Sequence, residues 1–156
     1  MHFRFASSPC RSTDVATLRV DHMKAAAVDA SSLVASLAEF DTATLCESNG
    51  GGALSGDIHA LTLDSRVGGL ALTVLCPPGD NLAIHLAVAA ARPGEVLVVQ
   101  TSDPAYGVWG EVLTVAAMAR GIKAVILDGS VRDIDSIRAH GFPVFGRGCA
   151  LNGTVK

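Results

Sequence analysis

The sequence predicts an α/β fold built from consecutive βαβ units. Three observations carry this expectation. Past residue 69, short apolar β-rich segments alternate with alanine- and leucine-rich segments. Glycine and proline stand at the joints between them. The segment Lys123–Leu127 is a nearly continuous apolar run, as expected for a strand in a sheet covered on both faces.

In chain order, residues 1–23 show no period and read as an unassigned N-terminal extension; residues 24–156 read as the folded domain. From Lys24 to Phe40 the apolar positions Val28, Leu33, Leu37 and Phe40 follow helical spacing, weakened by the Ser31–Ser32 pair. Asn49-Gly50-Gly51-Gly52 is a turn, or more sharply a phosphate cradle; no strand leads into it and no Gly-Lys-Ser/Thr follows. Gly69–Cys76 alternates as a strand and stops at Pro77-Pro78. Asp80 then caps a helix through Arg92, with Leu82, Leu86 and Ala89 or Ala90 as its buried stripe. Pro93-Gly94 ends it, and Glu95–Gln100 is the next strand. After a loop, Glu111–Arg120 forms a helix closed by Gly121. Lys123–Leu127 is a strand, and Asp128-Gly129-Ser130 turns the chain. Ser130 caps a helix from Val131 to Ala139 with Asp133 at its third position, ended by Gly141 and Pro143; Pro143–Phe145 opens a last strand. Right-handed crossovers are expected throughout.

Composition narrows the function. The 156 residues are 49% hydrophobic and 17% charged, which is globular and not disordered. A net charge of −3 and 4% aromatics argue against a nucleic-acid surface. No run of about 18 apolar residues is present to span a membrane as a helix. Cys10, Cys46, Cys76 and Cys149 lack metal spacing and read as free thiols in a reducing compartment, hence cytoplasmic. At the N-terminus, Arg4 and Arg11 among serines faintly suggest a transit peptide, against which Asp14 counts.

Chemistry concentrates in Val108–Asp133. A helix followed by a parallel strand runs out and back. The start of the helix at Glu111 and Arg132 beyond the strand should therefore meet at one sheet edge, where open α/β sheets bind ligands. The first amides of that helix, from Gly110 to Leu113, suit a small carboxylate. Arg132 adds a planar guanidinium that matches a carboxylate or a keto oxygen. Asp133, with Glu111 as a second carboxylate, gives few protein ligands and room for water. That describes Mg²⁺ or Mn²⁺ better than zinc. The residues alone leave a second reading open, in which Arg132 and Asp133 are ordinary charges at a helix end.

The stretch Gly68–Gln100, then VWGEVL and ILDGSVRDIDSIRAHGFPVFGRG, closely resembles the RraA-like family, whose members include 4-hydroxy-4-methyl-2-oxoglutarate aldolases that also decarboxylate oxaloacetate. The resemblance runs from about Thr42 to the C-terminus. It implies a three-layer β/β/α architecture like the swivelling domains and a class II pyruvate aldolase assembled as a homotrimer or hexamer. By the same resemblance, Asp133 binds the divalent metal, Arg132 holds the keto acid and its enolate, and Gly110, Glu111, Val112 and Leu113 form the substrate loop. Glu111, where the family often has aspartate, orients the water that moves the proton. Two departures are expected to matter. Ser136 stands where the family often carries an acid, and Asp135 beside it points elsewhere on a helix. Family members also usually continue past a segment like Gly153–Lys156 into further strands, so the domain reads as incomplete there. Two other functions remain: a non-catalytic regulator of ribonuclease activity acting by protein contact, and an inactive aldolase-like fragment. Ribonuclease regulators of the family generally lack the full set of acid, arginine and aspartate present here, which favours the enzyme.

Among the other polar residues, His85 reads as a packed or half-exposed helix histidine, and His59 and His140 as surface residues. Asp80 and Asn81 read as a cap, or as support near the metal. Trp109 is either core or a pocket wall, and Arg147 faces either the site or solvent.

Overall fold

The computed structural model describes residues 29–62, 66–101 and 103–154. The predicted N-terminal extension, the first turn of the predicted Lys24–Phe40 helix and Cys10 lie outside these residues. The elements run α1 (Ala30–Leu37), α2 (Thr42–Ser48), β1 (His59–Ala60), β2 (Ala71–Cys76), α3 (Leu82–Ala90), β3 (Val96–Thr101) and β4 (Gly107–Trp109). They continue with α4 (Glu111–Ala119), β5 (Ala124–Asp128), β6 (Ser130–Val131), α5 (Ile134–His140), β7 (Val144–Gly146) and β8 (Gly148–Cys149).

Two sheets organise them. The larger has five strands in the order β1-β7-β5-β3-β2, and the smaller has three in the order β4-β6-β8. β2, β3, β5 and β7 are mutually parallel, and β1 closes the edge antiparallel to β7. The smaller sheet is parallel throughout. The chain changes sheet without a long loop. β5 passes through Gly129 straight into β6, and β7 passes through Arg147 into β8. A Cβ at Gly129 would lie 2.5 Å from the Thr101 hydroxyl, so only glycine lets the chain step between sheets there.

Register fixes which side chains meet the helices. Leu72 pairs with Leu97, Leu97 with Val125 and Val125 with Val144; all four are buried. They share one core with Ile84 and Val88 of α3, Leu113 and Ala117 of α4, and Ile137 of α5. On β2 the alternate residues Ala71, Thr73 and Leu75 are exposed, so the strand has one packed face, as its alternation predicts.

The structure corrects three expectations. First, α3 buries Ile84, Ala87 and Val88, whereas Leu82 and Leu86 are 56% and 42% exposed and Ala89 and Ala90 face outward. Its sequence, LAIHLAVAA, is apolar on nearly every side, so periodicity has no preferred face and contact with β2 selects the side carrying the two β-branched residues. Asp80 does accept the Leu82 N–H at 2.7 Å, but Asn81 occupies the N-cap position. Second, Ser130 does not cap a helix. Ser130 and Val131 are buried in β6, paired with β4 and β8, and α5 begins only at Ile134. Pairing on both edges holds Ser130 and Val131 extended, which denies them to a helix. Third, the Lys24–Phe40 helix ends at Leu37, and a separate helix, α2, follows beyond Asp41.

Candidate active site

Asp133 occupies the N-cap position of α5 with φ 56° and is left-handed, a conformation that aspartate tolerates better than most residues. Its side chain makes no capping bond to its own helix. Instead Oδ2 points back across the sheet edge, where the Glu111 amide donates to it at 3.4 Å and Arg132 Nε at 3.3 Å. The bend at residue 133 thus brings together the start of α4, a guanidinium and a carboxylate. Side-chain exposure is 50% for Arg132 and 39% for Asp133, so their ion pair contributes roughly 0–1 kcal/mol to stability. The pair is therefore poorly explained as a stabilising device.

Four supports hold this corner. The Arg132 amide donates to the Trp109 carbonyl at 2.8 Å, which ties β6 to β4. Gly107 and Gly110 give Arg132 room: a Cβ at Gly107 would lie 3.0 Å from Arg132 Cβ, and one at Gly110 would lie 3.1 Å from Arg132 Cγ and 2.7 Å from Asp133 Oδ2. Beneath the loop, Trp109 is fully buried and stacks on Phe142 with ring centroids 6.2 Å apart. Its indole N–H donates to Thr114 Oγ1 at 2.9 Å, and that hydroxyl donates to the Gly110 carbonyl at 3.1 Å. Trp109 is therefore core, and it steadies the loop from below. Asn81 reinforces the same strand by donating to the Val108 carbonyl at 3.0 Å.

Of the loop amides from Gly110 to Leu113, one is already engaged. The Glu111 amide is already engaged by Asp133, while the amides of Val112 and Leu113 have no backbone acceptor among the described residues. Those two remain available to an anion, as the first amides of a helix are. Val112 is 77% exposed beside them, and Leu113 is buried.

A divalent cation fits this donor set in one manner. No group of three or more ligating side chains occurs among the described residues, which disfavours a zinc-type cage. Asp133 Oδ1 makes no hydrogen bond among the described residues and belongs to a half-exposed side chain, which suits a cation that keeps most of its waters.

Elsewhere, Arg147 turns away from the site. Its guanidinium bonds first to Asp128 and then to Asp57 at 2.8 Å, and both contacts raise its pKa. Asp135 is almost fully exposed and reaches only Arg138. His59 and His85 are exposed. His140 is exposed as well, but its Nε2 lies 3.1 Å from Glu111 Oε1. Nothing in the order of residues pointed to this contact, because it joins opposite ends of two helices 29 residues apart. Cys46, Cys76 and Cys149 are free thiols. No helix among the described residues is long and apolar enough to cross a membrane.

The model of the RraA-like family, described as aldolase/RraA, matches residues 42–156. A protein of Halalkalibacterium halodurans, provisionally named a 4-hydroxy-4-methyl-2-oxoglutarate aldolase, is 35% identical over 104 residues, covering 66% of this chain and 50% of the relative. An uncharacterised protein of Methanocaldococcus jannaschii is 29% identical over 118 residues, covering 74% of this chain and 56% of the relative. The chain thus spans about half the length of these two curated relatives. Among solved structures, Streptomyces coelicolor RraAS2 superposes with a TM-score of 0.70 at 28% identity, over 80% of this chain and 67% of that one. It is described as an unusual member of the RNase ES inhibitor RraA protein family.

Proposed function

The chain belongs to the RraA-like family, and from that premise we propose that it is a divalent-metal-dependent carbon–carbon lyase. Its substrate is 4-hydroxy-4-methyl-2-oxoglutarate or a related 4-hydroxy-2-oxo diacid, which it cleaves to pyruvate and a second carbonyl product. It decarboxylates oxaloacetate through the same pyruvate enolate. The observation that carries this reading is the meeting of Arg132 Nε and the Glu111 amide on Asp133 Oδ2, at 3.3 and 3.4 Å.

Arg132 donates hydrogen bonds to the 2-oxo acid and stabilises the negative charge that grows on its oxygen. The free amides of Val112 and Leu113 bind a substrate carboxylate. Gly110 lets the substrate approach the backbone of the loop closely. Glu111 orients a water that takes the proton from the 4-hydroxyl. The C3–C4 bond breaks, its electron pair enters C2–C3, and the charge settles on the C2 oxygen beside Arg132. The same water returns that proton to C3, which releases pyruvate. With oxaloacetate the same C3–C4 bond breaks, C4 leaves as carbon dioxide, and the water that Glu111 orients gives a proton to C3. Asp133 would hold the cation, Mg²⁺ or Mn²⁺, which supplies Lewis-acid polarisation of the 2-oxo group. We further assign a homotrimeric or hexameric assembly, on the strength of the family alone.

The test is pyruvate release from oxaloacetate and Mg²⁺ by the purified chain. Arg132→Ala and Asp133→Asn are each expected to lower turnover by about 10²–10³-fold. Turnover that survives either substitution removes the mechanism. Sedimentation of the same preparation at the 16.0 kDa of one chain would remove the assembly. The family also holds proteins described as ribonuclease inhibitors. Ribonuclease inhibition without any pyruvate would therefore replace the lyase reading with a binding one.

A further inference from the structure

We infer that His140 is a positioning residue for the Glu111 carboxylate. The inference rests on the lyase reading for its purpose, although the contact itself does not. Glu111 bridges both ends of α5. Its amide meets Asp133 where α5 begins, and its Oε1 meets His140 Nε2, 3.1 Å away, on the last residue of the same helix. Helical side chains lean towards the N-terminus, so His140 reaches back along α5 towards the site. An ionised carboxylate only accepts hydrogen bonds, so Nε2 carries the proton and donates it.

The two partners differ in how firmly they are held. Glu111 has several side-chain torsions, is 47% exposed, and otherwise makes no side-chain hydrogen bond among the described residues. His140 is anchored on either side. Ile137, one turn earlier, is completely buried, and Gly141, in the left-handed conformation at φ 68°, stops the helix immediately after it. The imidazole therefore sets the direction of the carboxylate. The chemistry gains from this, because the carboxylate that orients the proton-carrying water must be aimed before the reaction begins. The two residues lie on α4 and α5, which pack side by side, so the contact also locks the start of α4 against α5.

The experiment compares His140→Ala, His140→Gln and Glu111→Gln in the full chain. His140→Ala should lower kcat for oxaloacetate by about 10- to 100-fold, with KM changed by less than about twofold. His140→Gln keeps a donor at similar reach and should recover most of that loss. In the double variant, His140→Ala should add nothing to Glu111→Gln, because the first substitution acts only through the carboxylate. An equal loss in the Ala and Gln variants, a change confined to KM, or an additive double variant would each overturn the inference. A second readout needs neither turnover nor metal. In chain with ¹⁵N-labelled histidine, the His140 ring should be the Nε2–H tautomer, and its Nε2 signal should move in Glu111→Gln. An unmoved signal sinks the contact. If the wild-type chain releases no pyruvate while the signal moves, the lyase reading fails and the contact stands, but His140 then loses its role in turnover.

Discussion

Glycine at position 110 is the smallest element of the site and among the most constrained. Its backbone is extended, so alanine would fit its dihedral angles without strain. What alanine would not fit is its surroundings, since its Cβ would lie 2.7 Å from Asp133 Oδ2 and 3.1 Å from Arg132 Cγ. Both neighbours are half-exposed side chains that can swing away at little cost to the fold. Gly110→Ala is therefore expected to cost less than about 1 kcal/mol of stability while lowering oxaloacetate turnover by at least about tenfold. Thermal unfolding and a pyruvate assay on one preparation check this; undiminished turnover would mean that the position of Asp133 is irrelevant to the chemistry. At this scale the sequence was informative about identity and silent about pose. Glu111, Arg132 and Asp133 could be singled out because functional types cluster at the ends of an otherwise apolar stretch. That Asp133 adopts a left-handed conformation, and that Oδ2 takes the Glu111 amide, follows from strand pairing that no local pattern encodes.

The helices and strands show the same division. α4 was legible at both ends, because Glu111 follows a glycine and Gly121 supplies the left-handed stop at φ 74°. The strands β2, β3 and β5 were legible from their apolar runs. β4, β6 and β8 were not, since two or three residues are too few to show a period and they exist only by pairing with each other. The junction of β4 with α4 depends on one buried relay, from the Trp109 indole to the Thr114 hydroxyl to the Gly110 carbonyl. Thr114→Val keeps the volume and removes both bonds. It leaves a buried indole N–H without an acceptor, at an expected cost of about 1–3 kcal/mol in urea unfolding. A variant as stable as the wild type would show that the indole is satisfied in another way.

Across the whole molecule, one titrating group reports on the packing of β2 against α3. Cys76 is buried at the end of β2, and burial first, then the negative charge of Asp80, pushes its thiol from 9.0 up to about 11. The folded chain keeps the proton where the unfolded chain releases it. Stability from this group is therefore intact below about pH 9 and is lost as the pH rises towards about 11. Denaturation midpoints measured from pH 8 to 11 should fall more steeply for the wild type than for Cys76→Ala; parallel curves would show that the thiol ionises alike in both states. The sequence by itself determined the alternating α/β order, the approximate limits of β2, β3, α4 and β5, and the family, and it named the three residues proposed for the site. Each of these is written in local residue types and their spacing. Only the tertiary structure decided which face of α3 is buried, that β5 continues into a second sheet at Gly129, and that His140 reaches Glu111. Each of those depends on contacts between segments distant in the chain, and hydrophobic periodicity does not distinguish among equally apolar faces or name the partner that a side chain will meet.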